Sequence, residues 1–393
     1  MNRRHFITTV SAAGLAFNTH AADAADKLRV VVIGHTGRGN YGHGIDIMWA
    51  TVPGTEIIAV ADADENGLAA ELKKLKVAKG DADYRQMLSE VKADIVAIGP
   101  RHIDQHRDMC LAAIAAGARG IYMEKPFCRS LAEADEIIAA AEKTGTKIAI
   151  AHRNRYQPVV PVIDGLIKDG TIGQVLELRA RGKEDKRGGS LDLWVLGSHV
   201  FNLAAHFAGN PMACTATLLQ DRKPVTKADV KDGDEGIGPL AGNEVHARFE
   251  TESGIPVFFD SVHDAGTKEA GFGLQIIGTK GVIDLRMDAD PVAQALLGTS
   301  LGPIKTAREW TPISTAGIGK PEPVASLGKQ VMTHTLGGLD LIAAMKDNRQ
   351  PLCSAYDART AIEMISAVFE SHRLNGQRVT FPLKTRENPL ALL

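Results

Sequence analysis

The tripeptide Glu124-Lys125-Pro126 follows a short apolar run, Gly120-Ile121-Tyr122-Met123, and precedes a helix start, Ser130-Leu131-Ala132-Glu133. A lysine held at the end of a buried strand can hydrogen-bond a substrate hydroxyl and stabilise the alkoxide that develops as hydride leaves carbon. Lysine followed by proline is equally compatible with a solvated turn. A second group of residues with chemical content lies near the start of the chain. There Leu28-Arg29-Val30-Val31-Val32-Ile33 reads as a buried parallel strand and runs directly into Gly34-His35-Thr36-Gly37-Arg38-Gly39. Glycines at this point let the chain turn tightly and let backbone amides approach a pyrophosphate. A further apolar run over residues 56–61 ends in Asp62, an acid placed to accept bonds from an adenosine ribose. The stretch Asp62-Ala63-Asp64-Glu65 repels a 2′-phosphate and has no arginine beside it, which favours NAD over NADP. Thr36 stands where the glycine fingerprint has its second glycine. The interval from Gly34 to Asp62 exceeds the usual spacing of about twenty, and a longer first helix would account for it.

These groups need elements to hold them. Short apolar strands continue at residues 94–98, 120–123 and 147–150, separated by helix-like segments over 104–116 and 131–143. Such alternation predicts a Rossmann α/β domain, a doubly wound parallel sheet with ligands at the carboxyl ends of its strands. From about residue 175 the pattern changes. Residues 175–181, 244–249 and 282–286 alternate apolar with polar, as strands solvated on one face do, and Glu252-Ser253-Gly254 and Gly278-Thr279-Lys280-Gly281 supply hairpin turns. This predicts an α+β domain with an open, mostly antiparallel sheet. Helices are expected over 334–346 and 358–374, and the polar, glycine-rich segment 223–242 reads as a long surface loop. The expected division is a leader over 1–25, the dinucleotide domain over 26–151, a substrate and oligomerisation domain over 152–382, and a tail over 383–393.

The chain has 393 residues, enough for two cores, and its 45 basic and 47 acidic residues nearly cancel. No block of like charge suggests nucleic acid or an anionic membrane as partner. Cys110, Cys128, Cys214 and Cys353 are far apart, with neither zinc-ligand nor disulfide-framework spacing. The first residues, Met1-Asn2-Arg3-Arg4-His5-Phe6, lead through an alanine-rich apolar stretch into Ala21-Ala22-Asp23-Ala24-Ala25. That resembles a twin-arginine signal peptide. It is too short for the roughly twenty apolar residues of a membrane span and has no lipid-anchor cysteine, so a periplasmic protein without a membrane anchor is expected.

Gly34-x-x-Gly37-x-Gly39, Asp62, Pro100 with His106, Glu124-Lys125-Pro126, Gly188-Gly189…Gly197-x-His199 and the ending from Pro351 to Pro382 occur in that order. Together they resemble the glucose–fructose oxidoreductase, inositol dehydrogenase and rhizopine-catabolism family, Gfo/Idh/MocA, over nearly the whole mature chain. The resemblance implies that Lys125 contacts the reacting hydroxyl, that Glu124 lies near the nicotinamide ribose and that His199 is the acid–base histidine. Many members carry an aspartate one helical turn before that histidine, where this chain has Val195. Asp192, two turns before His199, lies on the same helical face and is a substitute candidate. Gly34, Thr36, Gly37, Arg38, Gly39, Asp62, Pro100, Arg101, His106, Glu124, Lys125 and Arg153 are the expected cofactor-binding residues. Lys125, Arg155, Tyr156, Lys183 and His199 are the expected substrate contacts. The two arginines of His152-Arg153-Asn154-Arg155-Tyr156 could instead form inter-domain ion pairs, and Lys183 opens a charged run that could be solvated. His102 and His106 have helical spacing but no third ligand, so no metal is expected.

Free NAD is a cytoplasmic reagent, so an exported member would need to retain its cofactor through turnover. The resemblance then implies an oxidoreductase acting on a sugar or polyol hydroxyl with tightly bound NAD. A redox-neutral NAD-dependent glycoside hydrolase, working by oxidation, elimination, hydration and re-reduction, is the alternative. Val195 also admits a catalytically silent NAD-binding protein. A homodimer or homotetramer formed through the open sheet face is expected.

Overall fold

The computed structural model describes residues 27–265, 272–287, 289–298 and 307–393. The expected leader lies outside the described residues.

Six parallel strands form the first sheet: β1 (Leu28–Ile33), β2 (Thr55–Ala61), β3 (Gly80–Asp81), β4 (Ile95–Ile98), β5 (Gly120–Met123) and β6 (Lys147–Ile150), in the order β3-β2-β1-β4-β5-β6. Their continuous apolar runs follow from burial on both faces, and the strand order reverses between β1 and β4. Helices α1 (Glu65–Leu75), α2 (Tyr84–Glu90), α3 (His106–Ala115) and α4 (Leu131–Thr144) connect them. Local chemistry starts two of these helices, the second at Ser130 where the sequence predicts a helix start. Asp64 caps α1 by accepting from the Gly67 amide, and Ser130 caps α4 by accepting from the Glu133 amide, contacts worth about 1 kcal/mol each.

The longer first helix is not there. Between β1 and β2 the chain makes turns and a single 3-10 turn, Met48–Ala50. Gly37, Gly39, Gly42 and Gly44 all take positive φ, from 64° to 94°, which a right-handed helix cannot contain. Ile45, Met48 and Trp49 from this segment nevertheless bury themselves on one face of the first sheet, beside Val30, Val32 and Leu341. The long interval before Asp62 is therefore spent on an irregular, glycine-rich wrap. Leu341 belongs to helix Thr335–Asp347, so a late segment of the chain returns to cover the Rossmann sheet against β5 and β6.

Among the described residues the second sheet has eleven strands and mixed direction. Strand Val175–Arg181 is parallel to Val257–Val262, and the remaining pairings are antiparallel. One face carries Leu178, Ala180, Val245, Phe249 and Phe259 into the core, and the other is solvated. Helices Ser198–Ala208 and Ala355–Arg373 pack on the buried side, the second reaching both α4 and strand Pro211–Gln220. The two expected hairpin turns connect strands as read from the sequence. The segment expected to be a long surface loop is instead structured. It contains a small hairpin, Lys231–Gly233 paired with Gly238–Leu240, which lies against the 3-10 turn Ile103–Gln105 of the first domain. Among the described residues no helix is long and apolar enough to cross a membrane.

Candidate active site

Three successive strand ends of the first sheet deliver side chains to one cleft of about 570 Å³: Arg101 after β4, Lys125 after β5, and Ala151 and Arg153 after β6. The second domain closes it with Lys183, Arg187, Val195, Leu196, His199, Glu235 and Phe272, while His43 and His334 complete the wall. Parallel strands with a common direction put every carboxyl end on one side, which is why residues far apart in sequence meet here.

Lys125 is 7% exposed, which decides between the two readings of its tripeptide in favour of a buried lysine. Its Nζ donates to the Val195 carbonyl at 3.0 Å. Burial lowers its pKa, Arg153 and Arg101 act in the same direction, and Glu124 and Glu235 oppose them. The Glu124 side chain is fully buried; its carboxylate accepts from the Lys125 amide at 2.7 Å and from His43 through both the amide and the ring Nδ1. Burial works against ionisation, but His43, Lys125 and His334 together hold the Glu124 carboxyl well below its usual range. The fixed anion next to Lys125 is thus a built-in part of the site.

His199 is 6% exposed and is the second residue of helix Ser198–Ala208, which is entered through a π-type turn over Leu193–Gly197, a device common at functional sites. Its ring stands edge-on to His152, centroids 5.2 Å apart, and tilted against Phe272. Burial first, then Lys125, His152 and Arg153, push its pKa well below the usual value, and its Nδ1 has no hydrogen-bond partner. Burial and then Lys125 hold His152 down to about 3, and burial holds His334 to about 4. The cleft therefore presents neutral imidazoles beside a lysine whose proton is loosened.

Asp192 does not serve His199. Its buried carboxylate accepts from the Lys183 and Glu184 amides and from the Ser261 hydroxyl at 2.7 Å, fastening the turn that follows strand Val175–Arg181. The π-type turn between the two residues breaks the regular helical spacing on which the pairing depended. His106 is likewise structural: it is fully buried, with Nδ1 at 2.9 Å from the Pro126 carbonyl and Nε2 at 2.7 Å from that of Pro100. It ties the ends of β4 and β5 together without facing the cleft. Arg155 donates to His206, which also contacts Asp164, and Tyr156 is buried; neither lines the cleft. Arg153 and Lys183 do line it, the latter with Nζ over the Phe272 ring.

Asp62 is 1% exposed and already accepts from the Thr36 amide and hydroxyl, the Tyr41 hydroxyl and the Asp64 amide. Burial disfavours its charge, yet these donors lower its pKa. A carboxylate has about four lone-pair sites, so all are used and the expected ribose bond has no acceptor left on Asp62. The side chain instead braces the glycine-rich turn. Thr36 fits at the second-glycine position because residue 67 is glycine: a Cβ there would lie 2.1 Å from the Thr36 hydroxyl. Arg38 pairs with Asp104 at 2.6 Å.

The residues at the strand ends suit a dinucleotide. At Gly39, with φ of 90°, a Cβ would come within 2.4 Å of the Arg101 amide nitrogen, so the turn can lie directly over the end of β4 only as glycine. Beside it Arg101 Nε, His102 Nδ1 and Gln105 Oε1 are buried without hydrogen-bond partners, as groups waiting for an external one are. Sequence reading missed His43, His334 and Glu235. His43 lies in the segment mistaken for a helix, and Glu235 lies in the segment read as a loop.

Residues 28–152 match the family described as an oxidoreductase family with an NAD-binding Rossmann fold, GFO_IDH_MocA. The uncharacterized oxidoreductase YdgJ of Escherichia coli (strain K12) is 26% identical over 216 residues, 52% of this chain and 60% of that protein. D-apiose dehydrogenase of Paraburkholderia graminis is 32% identical over 125 residues, 32% of this chain and 33% of that protein. The alignments thus span between a third and three fifths of these relatives' lengths. Levoglucosan dehydrogenase, solved in complex with NADH and levoglucosan, shares the fold with a TM-score of 0.71 at 18% identity, over 91% of this chain and all of that one.

Proposed function

We propose, from the match of residues 28–152 to the NAD-binding Rossmann domain of the Gfo/Idh/MocA oxidoreductase family, that the chain oxidises a hydroxyl of a sugar or polyol in the cleft where Lys125 and His199 meet. That convergence carries the reading. Bound NAD supplies the hydride acceptor. Gly37, Gly39, Arg101 and Glu124 would hold it, and the acidic stretch from Asp62 to Glu65 disfavours a 2′-phosphate.

Lys125 holds the substrate hydroxyl and takes its proton, a role suited to an amine whose charged form is disfavoured by burial. His199, neutral and with Nδ1 free of partners, offers a second proton acceptor on the opposite wall. Glu124 keeps its charge and so limits how far Lys125 is depressed. Arg153 and Lys183 orient the remaining oxygens of the substrate from either domain. D-apiose dehydrogenase, to which part of the chain is similar, supports a polyhydroxyl substrate.

Arg3-Arg4 and the apolar stretch after them support export by the twin-arginine route to the periplasm with the cofactor already retained. The solvated face of the second sheet supports a homodimer or homotetramer; a monomeric mass at micromolar concentration would count against that. A redox-neutral glycoside hydrolase draws on the same residues, since two separate proton acceptors suit an elimination followed by hydration.

The test is to purify the protein after export, denature it, and measure released NAD and NADH by mass spectrometry, with and without prior soaking in a panel of sugars and chromogenic glycosides. Near-stoichiometric NAD converted to NADH by one sugar class supports the oxidoreductase. Aglycone release without NADH supports the hydrolase, and an empty protein with weak affinity for added NAD overturns both.

A further inference from the structure

The hairpin that sequence reading took for a loop carries one acidic side chain into the cleft. Strands Lys231–Gly233 and Gly238–Leu240 pair in register, and the connecting 3-10 turn Asp234–Gly236 forms the tip. Two contacts fix that tip. Gly236 abuts the first domain, where an added Cβ would come within 2.4 Å of Asp104 Oδ1, and Asn388 donates to the Pro239 carbonyl at 2.7 Å. Between these anchors Glu235 has φ of 57° and ψ of 23°, a left-handed conformation that a residue with a side chain adopts at a cost of about 1 kcal/mol or more. A solvated tip would satisfy the same backbone with glycine or asparagine.

The surroundings of Glu235 are unequal in charge. Among the described residues lining the cleft it is the one carboxylate, beside Arg101, Lys125, Arg153, Lys183 and Arg187, of which Arg187 pairs with Asp185 and Arg153 and Lys183 also have partners. Its field is felt at Lys125, where it favours the ammonium, and at Arg187. Yet among the described residues it makes no hydrogen bond and no ion pair within 4.0 Å, so its oxygens remain available as acceptors in a cleft otherwise rich in donors. A donor-rich cleft holds a polyhydroxyl ligand through its oxygens; fixing which hydroxyl donates, and in which direction, requires an acceptor.

We propose that Glu235 is a catalytic residue of this cleft, its carboxylate accepting hydrogen bonds from two neighbouring hydroxyls of the substrate and so directing the reacting hydroxyl toward Lys125. It follows that the hairpin is a specificity element: a ring with vicinal hydroxyls is held, and one whose hydroxyls at that edge are methylated or absent is not. This assignment rests on the sugar or polyol reading of the cleft.

The test uses full-length holoprotein, wild type beside Glu235→Gln and Glu235→Ala, with a panel of free hexoses, cyclic polyols and their mono-deoxy analogues. Three quantities are read: NAD content after purification, sugar affinity by calorimetry, and NADH formation at 340 nm. Unchanged NAD content with sugar affinity or kcat/KM reduced at least about tenfold in both variants is expected. Variants that match wild type in affinity and turnover overturn the role of Glu235 and leave the oxidoreductase reading standing. Sugar binding that depends on Glu235 without any NADH formation upholds the contact and overturns the redox reading. Wild-type protein that neither binds nor oxidises any member of the panel overturns both.

Discussion

Lys125 Nζ donates to the backbone carbonyl of Val195 at 3.0 Å, so the position where an acidic partner for His199 is missing still contributes an acceptor to the site. A carbonyl orients the amine without adding a charge that would raise its pKa. The proton on Lys125 is accordingly governed by burial and by the carboxylates of Glu124 and Glu235.

Replacing Lys125 by methionine preserves the length of the side chain and removes its proton chemistry. Sugar-dependent NADH formation should fall by about 10²-fold or more, with bound NAD and the denaturant midpoint essentially retained. A variant with undiminished turnover would remove Lys125 from the mechanism.

Asp62→Asn should loosen the cofactor turn. The amide would set an NH₂ against donors from Thr36, Tyr41 or Asp64, leaving buried donors unpaired at a cost of about 1–3 kcal/mol. The expected outcome is a lower unfolding midpoint and less NAD per protein after purification, with the preference for NAD over NADP little altered. A clear swing toward NADP would mean that Asp62 reads the ribose after all.

His43→Ala removes one of the partners of the fully buried Glu124 carboxylate. Because His43 itself is 40% exposed, the loss is screened, and about 1–2 kcal/mol of stability is expected from it. Urea unfolding of His43→Ala beside His43→Asn checks this, since asparagine can still donate to Glu124.

Stability should decline on acidification from about pH 6.5 toward pH 4. Burial holds His152 down to about 3 and His334 to about 4 in the folded protein, whereas both take up protons near 6.5 once unfolded. Between those limits the unfolded chain binds more protons, so stability rises with pH and is lost as pH falls. Denaturant midpoints at pH 7, 5.5 and 4.5 provide the measurement, and His152→Asn should flatten the trend. A wild-type midpoint independent of pH over that range contradicts the buried neutral pair.

The sheet strands were legible because a parallel strand buried on both faces is a continuous apolar run, and Lys125 and His199 could be found because each stands at an element end with glycine or proline nearby. What the sequence concealed was the use of polar side chains as fasteners. Asp62, His106 and Asp192 have the residue types of a reactive site, yet each is saturated by backbone amides, carbonyls or neighbouring hydroxyls. Nothing in local spacing distinguishes a carboxylate that waits for a ligand from one that holds a turn. Glu235 is the converse case. Its neighbours are polar and glycine-rich, the signature of a loop, and only the tertiary approach of Gly236 to Asp104 brings it to the cleft.

All four cysteines are buried and unpaired, and burial raises each thiol's pKa, so none is poised as a thiolate. The architecture consequently owes nothing to oxidative cross-linking. The same fold, with the same core, is reached in a reducing or an oxidising milieu, and reductant in a purification buffer should leave it unchanged.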